Sequence, residues 1–386
     1  LQSAEFLLIS GRKVDMSRIF LAPSRYIQGA GAIGEIGLHA ARLGTKALVI
    51  GGKTALSLAG AAIQASLTAN GLACTLVQFN GISSRPEIDR LAEAALAEGA
   101  NIIIALGGGT SIDTAKAVSH QLNLPVIVVP TTVATDAPGS ALSVVYTEDG
   151  VFESYLYLRR NPDCVLVDTS IIASSPVRFL VAGMGDAVAG YWEGNTCGRG
   201  GKPNSFSGGQ APTLTVQALS RLSYEILLES GYQAKLAVER KMVTPAVEAI
   251  VEANTLISGL SSENAGHAGA HSIHNGLTTL AATQQKLHGE KVAFGLLAQL
   301  VLEGRPLRDI REVQEFCSKV GLPICLADLN LGDASAVEIR QVAEAAVVAG
   351  ETIHATWFEV TAEMVEAAIW TADALGIDFK NQGRLQ

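Results

Sequence analysis

Between Lys46 and Ser170 the chain alternates short, wholly apolar runs with longer amphipathic ones. The apolar runs are KALVIGG (46–52), CTLVQF (74–79), NIIIAL (101–106), PVIVVP (125–130) and VLVDTS (165–170). A strand that is apolar at every position buries both faces, so this pattern predicts a parallel sheet covered by helices on each side. The intervening helices are expected over TALSLAGAAIQASLTANG, from near Pro86 with Ile88, Leu91, Ala95 and Leu96 inward, and over SIDTAKAVSHQL. ALSVVY (141–146) and VFESYLYL (151–158), joined by Thr-Glu-Asp-Gly, predict a β-hairpin placed to cover a ligand.

Beyond residue 175 the β-branched runs stop and a period near 3.6 takes over. Helices are expected at 176–195, 211–230, 232–257, 263–280, 289–302, 308–319, 335–350 and 362–375. A length of 386 residues suits two domains. The expected fold class is therefore an α/β nucleotide-binding domain with a parallel sheet over 16–175, followed by an all-α domain over 176–386 that binds metal and substrate. Residues 1–15 precede Met16 and are read as an extension outside the fold.

A net charge of −9 argues against nucleic acid or an anionic membrane as partner. No apolar run approaches the roughly 20 residues that span a bilayer. The five cysteines, Cys74, Cys164, Cys197, Cys317 and Cys325, form no CxxC pair, which fits reduced thiols in a cytoplasm.

Chemistry enters at the turn after the third strand. Gly107-Gly108-Gly109-Thr110-Ser111 links a buried strand to a helix, where backbone N–H groups and the helix dipole attract a phosphate or pyrophosphate. The turn matches neither GxGxxG nor GxxxxGK[ST], and a tight turn alone explains one or two of its glycines. Thr131, Thr132 and Thr135 follow the fourth strand at its carboxyl end, where open α/β sheets bind ligands, and Asp136 lies in the same loop.

Four of the seven histidines, His267, His271, His274 and His288, fall within 22 residues. Steps of four and three put the first three on one helical face, and His288 precedes a glycine suited to a turn into the next helix. Such a face suits a metal, although each histidine alone is as easily a satisfied polar group. A metal would also need a carboxylate. Asp186, after Gly185, is a candidate whose simplest reading is a helix N-cap.

The motifs GGGTSIDTAKA (107–117), PTTVATDAPGSALSVVY (130–146), VDT (167–169), AGMGDA (182–187), AHSIHNG (270–276) and HGEKVAFG (288–295) together resemble the glycerol dehydrogenases of the iron-activated alcohol dehydrogenase and dehydroquinate synthase-like superfamily. The resemblance runs in order from Ser17 to Phe379. It implies NAD-dependent oxidation of glycerol and similar 1,2-diols, with Zn2+ held by Asp186, His271 and His288. It places nucleotide contacts at Gly107, Gly108, Gly109, Thr110, Ser111, Thr131, Thr132, Val133, Ala134, Ser140, Leu142 and Tyr146. Asp136 falls where the family's carboxylate meets the diol. His274 is read as a catalytic-site partner behind the ligands, ahead of a proton relay or an alternative ligand, and His267 as structural. A small polyol substrate and a homo-oligomer, up to an octamer, are also implied.

Three departures stand out. Gly52 replaces the acid that usually holds the adenosine ribose, so NADP is not excluded beside NAD. Thr110 replaces a common lysine. Gly190 stands where iron-dependent relatives have a histidine, which favours zinc. The alternatives are glycerol-1-phosphate dehydrogenase, dehydroquinate synthase or another alcohol dehydrogenase of the superfamily, and a nucleotide-binding protein without catalysis. A substrate phosphate needs cations, yet residues 241–286 offer only Lys241 and Lys286.

Overall fold

The structure, a computed structural model, describes residues 17–201 and 211–383, so the expected extension at 1–15 lies outside the described residues. Six strands form one parallel sheet: β1 (Tyr26–Gly29), β2 (Lys46–Gly51), β3 (Ala73–Gln78), β4 (Ile102–Gly107), β5 (Val126–Pro130) and, after a hairpin, β8 (Cys164–Asp168). Their order across the sheet is β1-β8-β5-β4-β2-β3. The hairpin, β6 (Leu142–Tyr146) with β7 (Phe152–Tyr157), pairs antiparallel and stands apart from the sheet.

Side-chain alternation divides the sheet residues between two cores. Val49, Ile104, Leu106, Ile127 and Val129 pack with Ile36, Ile63 and Leu67 on one face. Leu48, Ile50, Ile103, Ala105 and Val128 face the other way, into a core that continues through the helical half. Burial on both faces is what the unbroken apolar runs require.

Counting helices of eight residues or more, α1 (Ala61–Ala69), α2 (Arg85–Glu98) and α3 (Gly109–Leu122) accompany the sheet. The helical half contains α4 (Val177–Gly200), α5 (Leu214–Glu239), α6 (Pro245–Glu252), α7 (Ser258–Ala265), α8 (Gly269–Leu277) and α9 (His288–Leu302). It closes with α10 (Leu307–Val320), α11 (Ala336–Ala346) and α12 (Ala362–Gly383). Among the described residues, no helix is long and apolar enough to cross a membrane.

The elements depart from the sequence reading in four places. Strand β1 was not foreseen, because its four residues are all only half buried and carry no apolar run. It pairs with β8, so VLVDTS lies one strand in from the sheet edge. The break expected near residue 231 falls at 240–244, and Gly231 lies inside α5, where a Cβ would sit 2.8 Å from Phe316. The helix expected over 263–280 is two helices, parted at Gly266 with φ +93°. His267 therefore precedes α8 and shares no helical face with His271 and His274.

Candidate active site

Two helices cross to build the centre. Asp186 sits midway along α4, 3% exposed, and His288 is the first residue of α9. Gly289 follows His288, but it serves contact and not a turn: a Cβ there would lie 1.8 Å from the carbonyl oxygen of Ala182 and 2.9 Å from the nitrogen of Asp186. His271 comes from the first turn of α8. The Nε2 atoms of His271 and His288 lie 3.3 Å and 3.2 Å from Oδ1 of Asp186. One possible ligand atom from each of these three residues falls within 4.8 Å of the others. Oδ2 of Asp186 is buried without a hydrogen-bond partner. An orphaned carboxylate oxygen beside two converging imidazole nitrogens fits a divalent cation and is otherwise unfavourable.

The outer nitrogens of both rings are occupied. His271 Nδ1 lies 2.6 Å from Oε2 of Glu193, a fully buried residue two turns beyond Asp186 on α4. His288 Nδ1 lies 3.0 Å from Nε2 of His274, whose Nδ1 lies 3.0 Å from Oδ1 of Asn275. The Asn275 amide donates to both oxygens of Glu351, at 3.2 Å and 3.1 Å, which turns its carbonyl towards His274. A neutral His274 then donates through Nδ1 and accepts through Nε2 from His288 Nδ1–H, leaving Nε2 of His288 free as a lone pair.

For His274 the electrostatics agree with this assignment. Burial, then the neighbouring His288, Lys291 and His271, hold the His274 imidazole well below its usual range, so it stays neutral. Burial opposes charge on Asp186, but His288 and His271 outweigh it and keep the carboxyl well below its ordinary value. Burial likewise opposes charge on His271, and the carboxylates of Glu193 and Asp186 overcome it and raise its pKa.

The glycine turn lies at the carboxyl end of β4. Helix α3 begins at Gly109, two residues earlier than the sequence suggests, with Gly108 as its N-cap. Gly107 has φ +141°, a conformation only glycine adopts readily. Cβ atoms built on Gly108 and Gly109 would lie 3.5 Å and 3.6 Å from the hydroxyls of Thr132 and Thr135, so the turn faces the loop after β5. Thr131 N–H donates to Gly107 O at 2.9 Å, and Ser111 Oγ to Leu106 O at 3.0 Å.

That loop also touches α4. The Val133 carbonyl fills the space above Gly183, one turn before Asp186, and accepts from Asn254 Nδ2 at 3.3 Å. Asn254 donates to Leu180 O as well, at 3.0 Å, and lies in a π-turn between α6 and α7. Half-buried Asp136 follows, its backbone against Gly259 of α7. Farther on, Lys116 of α3 is wholly buried and donates to the carbonyls of Ala137 at 2.8 Å, Ser140 at 3.3 Å and Leu142. Tyr146 closes the segment on β6, its N–H bonded to Ser83 O at 2.8 Å.

The structure thus brings Asp186, His271 and His288 together, with His274 directly behind one of them. It joins the 107–111 turn to the loop from Thr131 through Ala134. Sequence reasoning missed Glu193, Asn254, Asn275, Lys116 and Glu351. Glu193 left a signal in its spacing, since seven residues after Asp186 it falls on the same face of α4, and Lys116 and Asn275 lie inside the quoted motifs. His267 stacks its ring 3.6 Å from that of His271, and its Nδ1 lies 3.4 Å from Glu193 Oε2.

Residues 23–169 match the family model described as iron-containing alcohol dehydrogenase. The chain is 46% identical over 361 residues to glycerol dehydrogenase of Citrobacter freundii, covering 94% of this chain and 98% of that one. It is 48% identical over 360 residues to glycerol dehydrogenase of Thermotoga maritima, covering 93% and 98%. The crystal structure of glycerol dehydrogenase from Schizosaccharomyces pombe superposes with a TM-score of 0.92 at 35% identity, covering 96% of this chain and 95% of that one.

Proposed function

The chain belongs to the iron-containing alcohol dehydrogenase family, among its glycerol dehydrogenases, and from that we propose that it oxidises glycerol to dihydroxyacetone. Similar 1,2-diols are oxidised likewise, with NAD as hydride acceptor. The observation that carries this reading is the convergence of Asp186, His271 and His288 beside the loop that adjoins the glycine turn.

In the proposed arrangement Asp186 and the Nε2 atoms of His271 and His288 would hold the metal. A divalent cation there supplies Lewis-acid stabilisation of negative charge on a substrate oxygen. Three protein ligands leave room for adjacent hydroxyls of a diol. Asp136 accepts a hydrogen bond from a substrate hydroxyl and orients the carbinol carbon. The 107–111 turn and the loop of Thr131, Thr132, Val133 and Ala134, with Ser140, Leu142 and Tyr146, cradle the dinucleotide. When bound in that cradle, NAD+ would supply the hydride acceptor for the carbinol carbon, with the hydroxyl proton released to solvent as the alcohol becomes a ketone. His274 keeps the His288 proton on Nδ1.

We assign the metal as zinc, since Gly190 leaves the set with two imidazoles and one carboxylate. NADP is admitted beside NAD because Gly52 offers no carboxylate to repel a 2′-phosphate. Five cysteines without a disulfide support a reducing cytoplasm. Val151 and Phe152 on the hairpin, 62% and 51% exposed, are consistent with burial between subunits of a homo-oligomer. The division at residue 175 into nucleotide and metal domains completes the proposal.

A phosphorylated substrate is less well served, because Lys241 is spent on the carbonyl of Ser175 at 2.7 Å. The deciding experiment is steady-state NADH formation by zinc-loaded protein with glycerol, 1,2-propanediol and glycerol phosphate. Turnover of the first two is expected. Absence of NADH from both diols refutes the reading.

A further inference from the structure

Glu193 is fully buried, and its two oxygens have different partners. Oε1 accepts from the backbone N–H groups of Ala268 and His271, at 2.8 Å and 3.1 Å, just where α8 begins. Oε2 faces Nδ1 of His271 at 2.6 Å, with His267 Nδ1 at 3.4 Å. One side chain therefore fixes both the backbone and the ring of His271. It does so from the same helix that carries Asp186.

From this geometry, and resting on the metal reading above, we propose that Glu193 is a positioning residue that commits His271 to binding metal through Nε2. A carboxylate only accepts hydrogen bonds, so a ring proton sits on Nδ1, and Nε2, which faces Asp186, is the nitrogen left to bind a cation held between them. Ring rotation is fixed at the same time, because the Nδ1 contact and the two N–H contacts belong to one carboxylate.

The isosteric substitution Glu193→Gln separates this role from packing. Its single carbonyl oxygen cannot serve both sides. If it accepts from Ala268 and His271 N–H, the NH2 group faces Nδ1 and demands a lone pair there. The ring proton then moves to Nε2 and occupies the position meant for the metal. If the amide flips, its NH2 opposes two backbone N–H groups and α8 loses its anchor. Either way the ligand is compromised while the volume is unchanged.

The test is zinc affinity of the full-length protein by chelator competition, with circular dichroism as the fold control. Glu193→Gln is expected to bind zinc about 10–100-fold more weakly than the unsubstituted protein while remaining folded. Folded Glu193→Gln protein that binds within threefold of the unsubstituted chain overturns the proposal. A readout that needs no variant is the 15N spectrum of the His271 ring. In the zinc-loaded protein, protonated Nδ1 with zinc-bound Nε2 supports the assignment, and zinc-bound Nδ1 overturns it. If the unsubstituted protein binds no zinc, the metal reading itself fails. Tight zinc binding that ignores Glu193→Gln removes only the role given to Glu193.

Discussion

Gly185 of α4 and Gly289 of α9 face each other so closely that neither tolerates a side chain. A Cβ on Gly185 would lie 2.3 Å from the Gly289 carbonyl oxygen, and one on Gly289 would lie 1.8 Å from that of Ala182. Helix backbones approach this closely only where small residues meet, and here the approach sets Asp186 against His288 at 3.2 Å. The two residues belong to one centre because their glycine neighbours let the helices touch.

Substituting Gly289→Ala forces α9 away from α4. Overpacking of this kind costs about 1–3 kcal/mol. Stability measured by denaturant titration is expected to fall by that amount. The larger effect is expected on metal content, since a shift of an ångström separates His288 from Asp186. Zinc retained at full stoichiometry after dialysis against a mild chelator would refute the link between packing and site.

Lys116 makes a second test. It is wholly buried, 3.2 Å from Asp113, with three loop carbonyls from residues 137–142 as its other partners. Lys116→Met leaves a buried Asp113 facing an apolar chain, and breaking such pairs typically costs about 3–5 kcal/mol. The loop carrying Asp136 also loses its anchor, so KM for the diol should rise more than zinc affinity falls. Adding Asp113→Asn should recover part of the stability and none of the KM effect. Equal losses in single and double variants would show that the ion pair is not the anchor.

How much of this was legible beforehand depended on the kind of signal. Apolar runs such as NIIIAL announced the sheet because burial on both faces leaves no polar position to confuse them. Asp186, His271 and His288 followed from motif likeness, and the geometry brings their ligand atoms together. What could not be read was who stands behind them. Glu193, Asn275 and Glu351 act through hydrogen bonds between distant segments, 78 residues apart for Glu193 and His271. Local periodicity puts Glu193 on the Asp186 face of α4 and carries no trace of its partner. Gly289 was misread for the same reason: a glycine after a histidine suggests a turn, and only the neighbouring helix reveals a point of contact.

A pH dependence of stability is expected from Asp328. Burial raises its carboxyl pKa, but hydrogen bonds from Lys380 and the Ile324 N–H more than offset this and hold it below the usual value. A carboxylate depressed in the folded state stabilises the fold above its unfolded pKa of about 4. That contribution is lost as pH falls through the lower folded value. Both side chains are partly exposed, so solvent screening limits the pair to about 0.5–1 kcal/mol. Lys380→Met should therefore lower stability by about that amount near neutrality. The difference should vanish in acid. A gap that persists unchanged at low pH would mean that Lys380 acts through packing alone.

Gly52, the residue after β2, is where the proposed function places the choice between NAD and NADP. It has ordinary extended backbone, and a Cβ there would meet nothing within 4 Å. Gly52→Asp is therefore free of steric cost, and it places a carboxylate beside Lys53 at the carboxyl end of the strand. A new carboxylate hydrogen-bonds a ribose 2′-hydroxyl and repels a 2′-phosphate. Like-charge juxtaposition of this kind costs a few kcal/mol, so kcat/KM for NADP should fall by about tenfold or more. The same parameter for NAD should hold or rise, while zinc affinity stays unchanged. If the unsubstituted enzyme already rejects NADP as strongly as Gly52→Asp does, discrimination lies elsewhere in the cradle and Gly52 has no part in it.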